Sequence, residues 1–529
     1  MFRSKKAAVG IALAVLLAFV GGTAVSAKTS SLRLAILADE GTLTPYTYVM
    51  GYPGMELVML IYDALFIMDQ NNLPQPWLVE KFTASEDAKI WTVTLRNGVK
   101  FQDGQPLTTA DVEFTYKYFT KNPKPRFTSP LKIIDKIEVA DARTIKFTLK
   151  KSDPAFPLRP LADVPILPKH VWEKAADPKA VAAMGTGPYS LVEYKPEQYY
   201  KLKANAAYFR GKPRMAEIII PIIKDPTSMF TALKSGEIHL AAKGLSPELV
   251  TQFQNLPGVK VVTGPGYSTT LLQLNDTRYP LDQREFRQAL ALAIDQDYLV
   301  KTVLLGQGTA GNPGFMHPKG PWANTSLKSE VDRKRAQALL DKLGFVDRNG
   351  DGRRETPKGD KLELTMLVYA SNPLRLRTAE IISGWFTELG VKTAVKALDP
   401  TTVDSLVWPD FDVAKGRDYD LSMWGWSPSM QQEPGRLAEL YHSNPAIGNV
   451  NIGGFKSAPV DALAEQLLVT VDLTKRKELA QKLQAVLAQE VPHIVLYYED
   501  GAYVYRSDAY DGYTYVKGLG IVSKWSFIR

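Results

Sequence analysis

The clearest early pattern along the chain is strict alternation of apolar and polar residues. "IWTVTLR" sets Trp91, Val93 and Leu95 on one face, and Asn97-Gly98 behind it predicts a tight turn into "VKF", a hairpin. "KIEVADARTIKFTLK" repeats the alternation, with Ile137 and Val139 before a polar Asp-Ala-Arg break and Ile145, Phe147 and Leu149 after it. Between the two, "TTADVEFTYKYF" opens on threonines able to cap a helix, and Asp111 suits the positive end of its dipole. Residues 67–182 therefore read as a small α+β unit.

Further on the apolar period lengthens to that of helices. "REFRQALALAIDQDYLV" spaces Phe286, Leu290, Ala293 and Ile294 along one face; "RLRTAEIISGWFTELG" does the same with Ala379, Ile382, Phe386 and Leu389, and Gly390 supplies a C-terminal cap. "LTKRKELAQKLQAVLAQEVP" lines up Leu479, Leu483, Val486 and Leu487, with Thr474 as a candidate N-cap and Pro492 past the end. Strand-like runs lie among these helices, "KLELTMLV", "VKTAVKAL" and "HIVLYY", so the second half reads as α/β layers. In "YDLSMWGW", Leu421 and Met423 point one way while Trp424 and Trp426 point the other. Such a pair is either the second core layer of a strand buried on both sides or an aromatic surface for a ligand.

The first 27 residues begin basic, continue through "AAVGIALAVLLAFV" and end in "AVSA", with Val25 and Ala27 at the small-residue positions of a cleavage site. That is a secretory signal peptide, so a periplasmic or otherwise extracytoplasmic mature chain is expected; no later run reaches membrane-spanning length. The 529 residues carry a formal charge of +8; losing Arg3, Lys5 and Lys6 with the leader leaves about +5, with no block of five like charges, which argues against nucleic acid as a partner. Without any cysteine, thiol catalysis, thiolate metal sites and redox switching are excluded.

Nucleophile-elbow, zinc-helix, phosphate-loop and dinucleotide-glycine motifs are all missing, and the histidines 170, 239, 317, 442 and 493 are far apart and read as structural. "DRNGDGRRE" places Asp347, Asn349, Asp351 and Gly352 as in the first half of a calcium loop, but Lys358 stands where the closing Glu belongs, so a polar turn is the better reading. A secreted glycosidase stays open as the alternative function, since paired carboxylates cannot be judged from sequence spacing.

Several stretches together resemble one family. "WTVTLRNGVKFQDGQPLTTADVEFTYKYF" is similar to the marker segment of extracytoplasmic solute-binding proteins of the peptide/nickel type (family 5), the receptors of ABC importers. "LADEGTLTPYTY", "LIYDALFIMDQNNLPQPWLVEKF", "GTGPYSLVEY", "ALKSGEIHLA" and "LNDTRYPLDQREFRQALALAIDQDYLVKTVLLGQGTAG", with Arg287, Ala289 and Asp295, follow in the family's order, and "AQALLDKLGFVDRNGDG" and "VPHIVLYY" complete it.

The resemblance implies an α/β, two-lobed periplasmic-binding-protein-like fold (class II, cluster C) with an extra α+β subdomain. The first lobe is expected from 28–66, 183–268 and 491–529, the subdomain at 67–182 and the second lobe at 269–490, with crossings near 268 and 490. It further implies a monomer without cofactor or catalysis that closes on an oligopeptide or oligosaccharide and docks on a membrane permease with its ATPase subunits. Trp426 and Trp424 correspond to the segment that enters the cleft. Dipeptide binders carry an Asp soon after that Trp; here the first acid is Glu433, which must then reach inward to meet a ligand ammonium. Asn275, Tyr46 and Tyr48 are further candidate ligand contacts, whereas Arg377 is expected on a helix surface.

Overall fold

The structure, a computed structural model, describes residues 30–49 and 51–528, so the signal-peptide segment lies outside the described residues. One large mixed sheet runs through the molecule. In spatial order its strands are Lys392–Leu398, Glu363–Tyr369, Leu421–Trp426, Val259–Leu274, His493–Arg506, Leu240–Ala241, Ser31–Ala35, Glu217–Pro221, Tyr199–Ala204 and Tyr189–Lys195, with Gly308–Ala310 added beside His493–Arg506. Two long antiparallel strands, Val259–Leu274 and His493–Arg506, belong to both lobes and carry the chain between them.

Where the lobes meet, this ladder is irregular. Pro265 pairs with Asp500 and Ser268 with Glu499, so Gly266 and Tyr267 form a bulge, with Tyr267 at φ 63°. Only glycine fits at 266, because a Cβ there would stand 2.4 Å from the Glu499 carbonyl oxygen. His493–Tyr498 pack into the cores of the second lobe, while Ala502, Val504 and Tyr505 pack into those of the first. The packing partners of this strand thus change across Glu499–Gly501.

The α+β unit has the strand order Val79–Ala84, Ile90–Leu95, Thr144–Leu149, Ile134–Val139. The helix Thr109–Lys121 packs with it, started by a reciprocal cap between Thr108 and Asp111. The strands at 137 and 145 pair as the pattern indicates. The Asn97-Gly98 hairpin does not form: Ile90–Leu95 pairs with Val79–Ala84 and Thr144–Leu149 instead, and Lys100 bridges to Pro106. A local turn signal leading to a three-residue run is overridden by pairing with two six-residue strands.

In the second lobe the sheet is covered on both faces. Helices Arg284–Ala293 and Pro373–Glu388 bury one face with Leu421 and Met423; helices Ala458–Val469 and Leu473–Glu490 bury the other with Leu271 and Trp424. Two local readings need correcting. The run from Arg284 breaks at Ile294 because Asp295 caps a new helix, Gln296–Thr302, and the last long helix is capped by Asp472, not Thr474. Among the described residues, no helix is long and apolar enough to cross a membrane.

Candidate functional site

A cavity of about 630 Å³ opens at the passage between the lobes. Its floor is the crossing strand at Glu499–Ala502; one wall comes from the first-lobe helices Pro226–Ser235 and Pro247–Gln254, the other from Leu304, Gln307 and Leu374 of the second lobe. Phe230 and Phe253 supply apolar faces, Lys234 and Lys243 the rim. A volume in the range of about 300–1,000 Å³ suits a small ligand.

Leu374, in the second-lobe wall of this cavity, sits on a rigid element. Leu374 and Arg375 fall in the first turn of the helix Pro373–Glu388, which starts there because Pro373 suits the first helical position and Asn372 Oδ1 accepts from Arg375 N at 3.0 Å. The Arg375 guanidinium lies on Gly425, where a Cβ would come 1.8 Å from Nη2. The alternation of "MWGW" now has a reason: Met423 and Gly425 face this helix, the glycine leaving room for the guanidinium, and the indoles face away. Burial raises the Glu499 carboxyl above its ordinary range, opposed by Arg375 and a hydrogen bond from Thr270. Asp500 is also raised by burial, and its Oδ1 is shielded without a hydrogen-bond partner.

The residues chosen from sequence do not gather around this cavity. Trp424 is 6% exposed and packs edge-to-face on Tyr369 in the core. Trp426 is half-buried against Trp408 at 6.0 Å between centroids. Asn275 is fully spent: its amide donates to Tyr419 O at 2.8 Å, and Oδ1 accepts from Thr277 Oγ1 at 2.7 Å. Tyr46 stacks on Phe119 of the subdomain and donates to Asn122 O at 2.6 Å, while Tyr48 packs on Phe127 with Lys124 over its ring. Glu433 is ion-paired with Arg476. Packing, ion pairing or internal hydrogen bonds thus engage Trp424, Asn275, Tyr46, Tyr48 and Glu433 in this structure.

The 347–355 loop also closes on itself. Asp347 accepts from Gly350 N and Gly352 N, and Asp351 from Arg353 N. Glu355, which the motif reading passed over, lies within 4.8 Å of both and accepts from Arg348 N and from Asn349, at 2.8 and 2.9 Å. The loop's oxygens are thereby committed to the turn. His317 and His493 are buried and neutral, each with its pKa held at about 3 by desolvation. Glu499 and Asp500, which line the cavity, were missed in the sequence, where nothing local marks them. Arg375 stands in the first turn of a helix, against its dipole, and the glycine that faces it is 50 positions away.

The model of the bacterial extracellular solute-binding proteins, family 5, matches residues 74–448. The chain belongs to this family. The oligopeptide-binding protein AppA of Bacillus subtilis is 25% identical over 504 residues, covering 92% of this chain and 90% of its own length. The nickel-binding periplasmic protein of Escherichia coli is 28% identical over 381 residues, 70% of this chain and 71% of its own. The ABC transporter substrate-binding protein CtaP of Listeria monocytogenes superposes with a TM-score of 0.77 at 24% identity, covering 94% of this chain and 99% of that one. The two-lobed α/β fold of this family-5 protein agrees with its solved neighbours. None of these relatives is named as a sugar binder or a hydrolase, so neither the oligosaccharide nor the glycosidase reading finds support.

Proposed function

We propose that this family-5 protein is an extracytoplasmic receptor that captures a small peptide between its lobes and delivers it to an ABC-type permease. One observation carries the reading: the cavity at Glu499–Ala502 is walled by both lobes and floored by the strand on which they turn. A guest touching both walls binds the closed arrangement better than the open one, and that difference in affinity shifts the population toward closure. The permease then reads the closed form. No bond is made or broken in this scheme, and the leader at 1–27 is removed on export.

Peptides are favoured over metal complexes by the lining. It offers phenylalanine and aliphatic surface, amide and carboxylate groups, and no histidine among the lining residues. AppA, named an oligopeptide-binding protein, matches along 92% of the chain. Trp426, half-buried with part of its surface open, remains in this reading as a secondary contact at the second lobe's edge.

A thermal-shift screen of the mature chain with pooled tri- to pentapeptides tests the proposal. A ligand that binds only the folded form adds RT ln(1 + [L]/Kd), and mass analysis should recover it intact. Trp426→Ala should weaken the shift without abolishing it. A peptide recovered cleaved, or pools that leave the melting temperature unmoved while a haem or nickel chelate raises it, would overturn the peptide assignment.

A further inference from the structure

A second cavity, of about 280 Å³, lies within the second lobe and shares no lining residue with the one at the passage. The helix Arg284–Ala293, the last turn of the helix Leu473–Glu490 and the start of the strand His493–Arg506 enclose it, and the segment 327–330 completes the wall. Leu292, Leu327, Leu487 and Ile494 give it an aliphatic lining, with no phenylalanine, tyrosine or tryptophan among the lining residues. Several polar groups along the wall are already engaged. Gln288 donates to Gln489 O at 2.7 Å, Ser329 to Gly311 O at 3.1 Å, and His493 shares a hydrogen bond of 3.0 Å with the Tyr441 hydroxyl. The carbonyls at the helix end are answered too, Glu490 O and Val491 O by Arg287 at 2.7 and 2.9 Å. Gln296 is different. It lines the cavity and is only 5% exposed, yet among the described residues its side-chain amide has no hydrogen-bond partner. At the exposed rim Arg335 pairs with Glu330 at 2.9 Å, while Lys328 has neither an ion pair nor a hydrogen bond among the described residues.

We propose that this cavity is a second ligand site, for a small aliphatic molecule that carries one amide and one carboxylate, as an N-acyl amino acid does. Burying an amide without a hydrogen bond is costly. A guest amide offers a donor and an acceptor that match the C=O and N–H of Gln296, and so removes that cost. The guest carboxylate then lies at the rim against Lys328, whose charge the fold leaves unpaired, and a branched side chain fills the aliphatic lining. A volume just below the range of about 300–1,000 Å³ common to small-molecule sites keeps the guest small. The site does not rest on capture between the lobes. The strand that carries His493, Ile494 and Val495 along this cavity reaches the passage only at Glu499.

The test measures N-acetylleucine on the mature chain by calorimetry and thermal shift, beside two analogues: N-acetylleucine amide, which lacks the carboxylate, and 4-methylpentanoate, which lacks the amide. N-acetylleucine should bind about 10-fold more tightly than either. Gln296→Leu removes the amide and Lys328→Gln the charge, and each should weaken N-acetylleucine binding by about 10-fold. Without ligand, Gln296→Leu should melt no lower than the wild type, because no hydrogen bond is lost and a buried amide is gone. Equal affinity for the three compounds, no response to any of them, or N-acetylleucine binding unchanged in both variants overturns the site. Unliganded melting curves report folding separately from binding. Lys328→Gln, at an exposed position, decides the matter should Gln296→Leu fail to fold.

Discussion

The guanidinium of Arg476 closes on the carboxylate of Glu433, with side-chain exposures of 4% and 12%. Asp153 of the subdomain lies close enough to feel both charges, and burial lifts its pKa to about 6. The first acid after the Trp-Gly-Trp strand is thus a structural anchor. Arg476→Met strands a buried carboxylate and should cost about 3–5 kcal/mol of stability. Glu433→Gln with Arg476→Met should regain much of that, and Glu433→Gln alone should leave peptide affinity unchanged. Chemical denaturation and calorimetry measure the two effects separately.

A second buried pair ties the C-terminal segment to the first lobe. Lys524 Nζ pairs with Asp63 and donates to Tyr62 O at 2.6 Å, and Asp63 also accepts from Trp77 Nε1 and Thr186 Oγ1, both at 2.8 Å. Side-chain exposures are 3% for Lys524 and nil for Asp63. Lys524→Met should destabilise by about 3–5 kcal/mol, and Asp63→Asn in the same chain should restore part of it by removing the orphaned charge. Urea denaturation of the two variants gives both numbers.

Glu56 makes stability depend on pH in an unusual direction. Desolvation raises its pKa to about 7, against the attraction of Arg126 and Lys524 and with the repulsion of Asp163. Its folded pKa lies above the ordinary carboxylate value of 4.5, so its protonated form is favoured by folding. That contribution is full below about pH 4.5 and is lost as pH rises through about 7. Glu56→Gln should therefore melt above the wild type at pH 8, with the difference fading toward pH 4.5. A difference that grows on acidification contradicts the assignment.

Gly425 is where backbone and guanidinium share space. A Cβ there meets Arg375 Nη2 at 1.8 Å and Thr269 O at 2.8 Å, so Gly425→Ala must displace Arg375. The substitution should lower stability by about 1–3 kcal/mol through overpacking, as chemical denaturation measures. Unchanged stability in Gly425→Ala would contradict this packing.

Element types were legible wherever a period was long and bounded by chemistry. The alternation at 144–149 and the threonine-initiated helix with its early Asp111 need only neighbours in sequence, and both appear as read; that Thr108 and Asp111 cap each other is added by the structure. The site was far less legible, because its groups are defined by distant partners. Tyr46 reads as a free loop tyrosine until Asn122, 76 residues on, takes its hydroxyl; Asn275 finds Tyr419 across 144. Arg377, expected on the helix surface, is exposed beside Glu380 at 3.5 Å, while two positions earlier Arg375 turns inward. Helical periodicity separates the faces of those two arginines but not which face meets a cavity.

Lobe closure is best measured as a distance. The chain has no cysteine, so Lys234→Cys in the first lobe and Lys301→Cys in the second, both exposed, give two unique spin-label sites across the passage. With the tri- to pentapeptide pool added, the electron-electron distance distribution should move from broad and long to shorter and narrow. Calorimetrically proven binding with the distribution unmoved would contradict capture between the lobes.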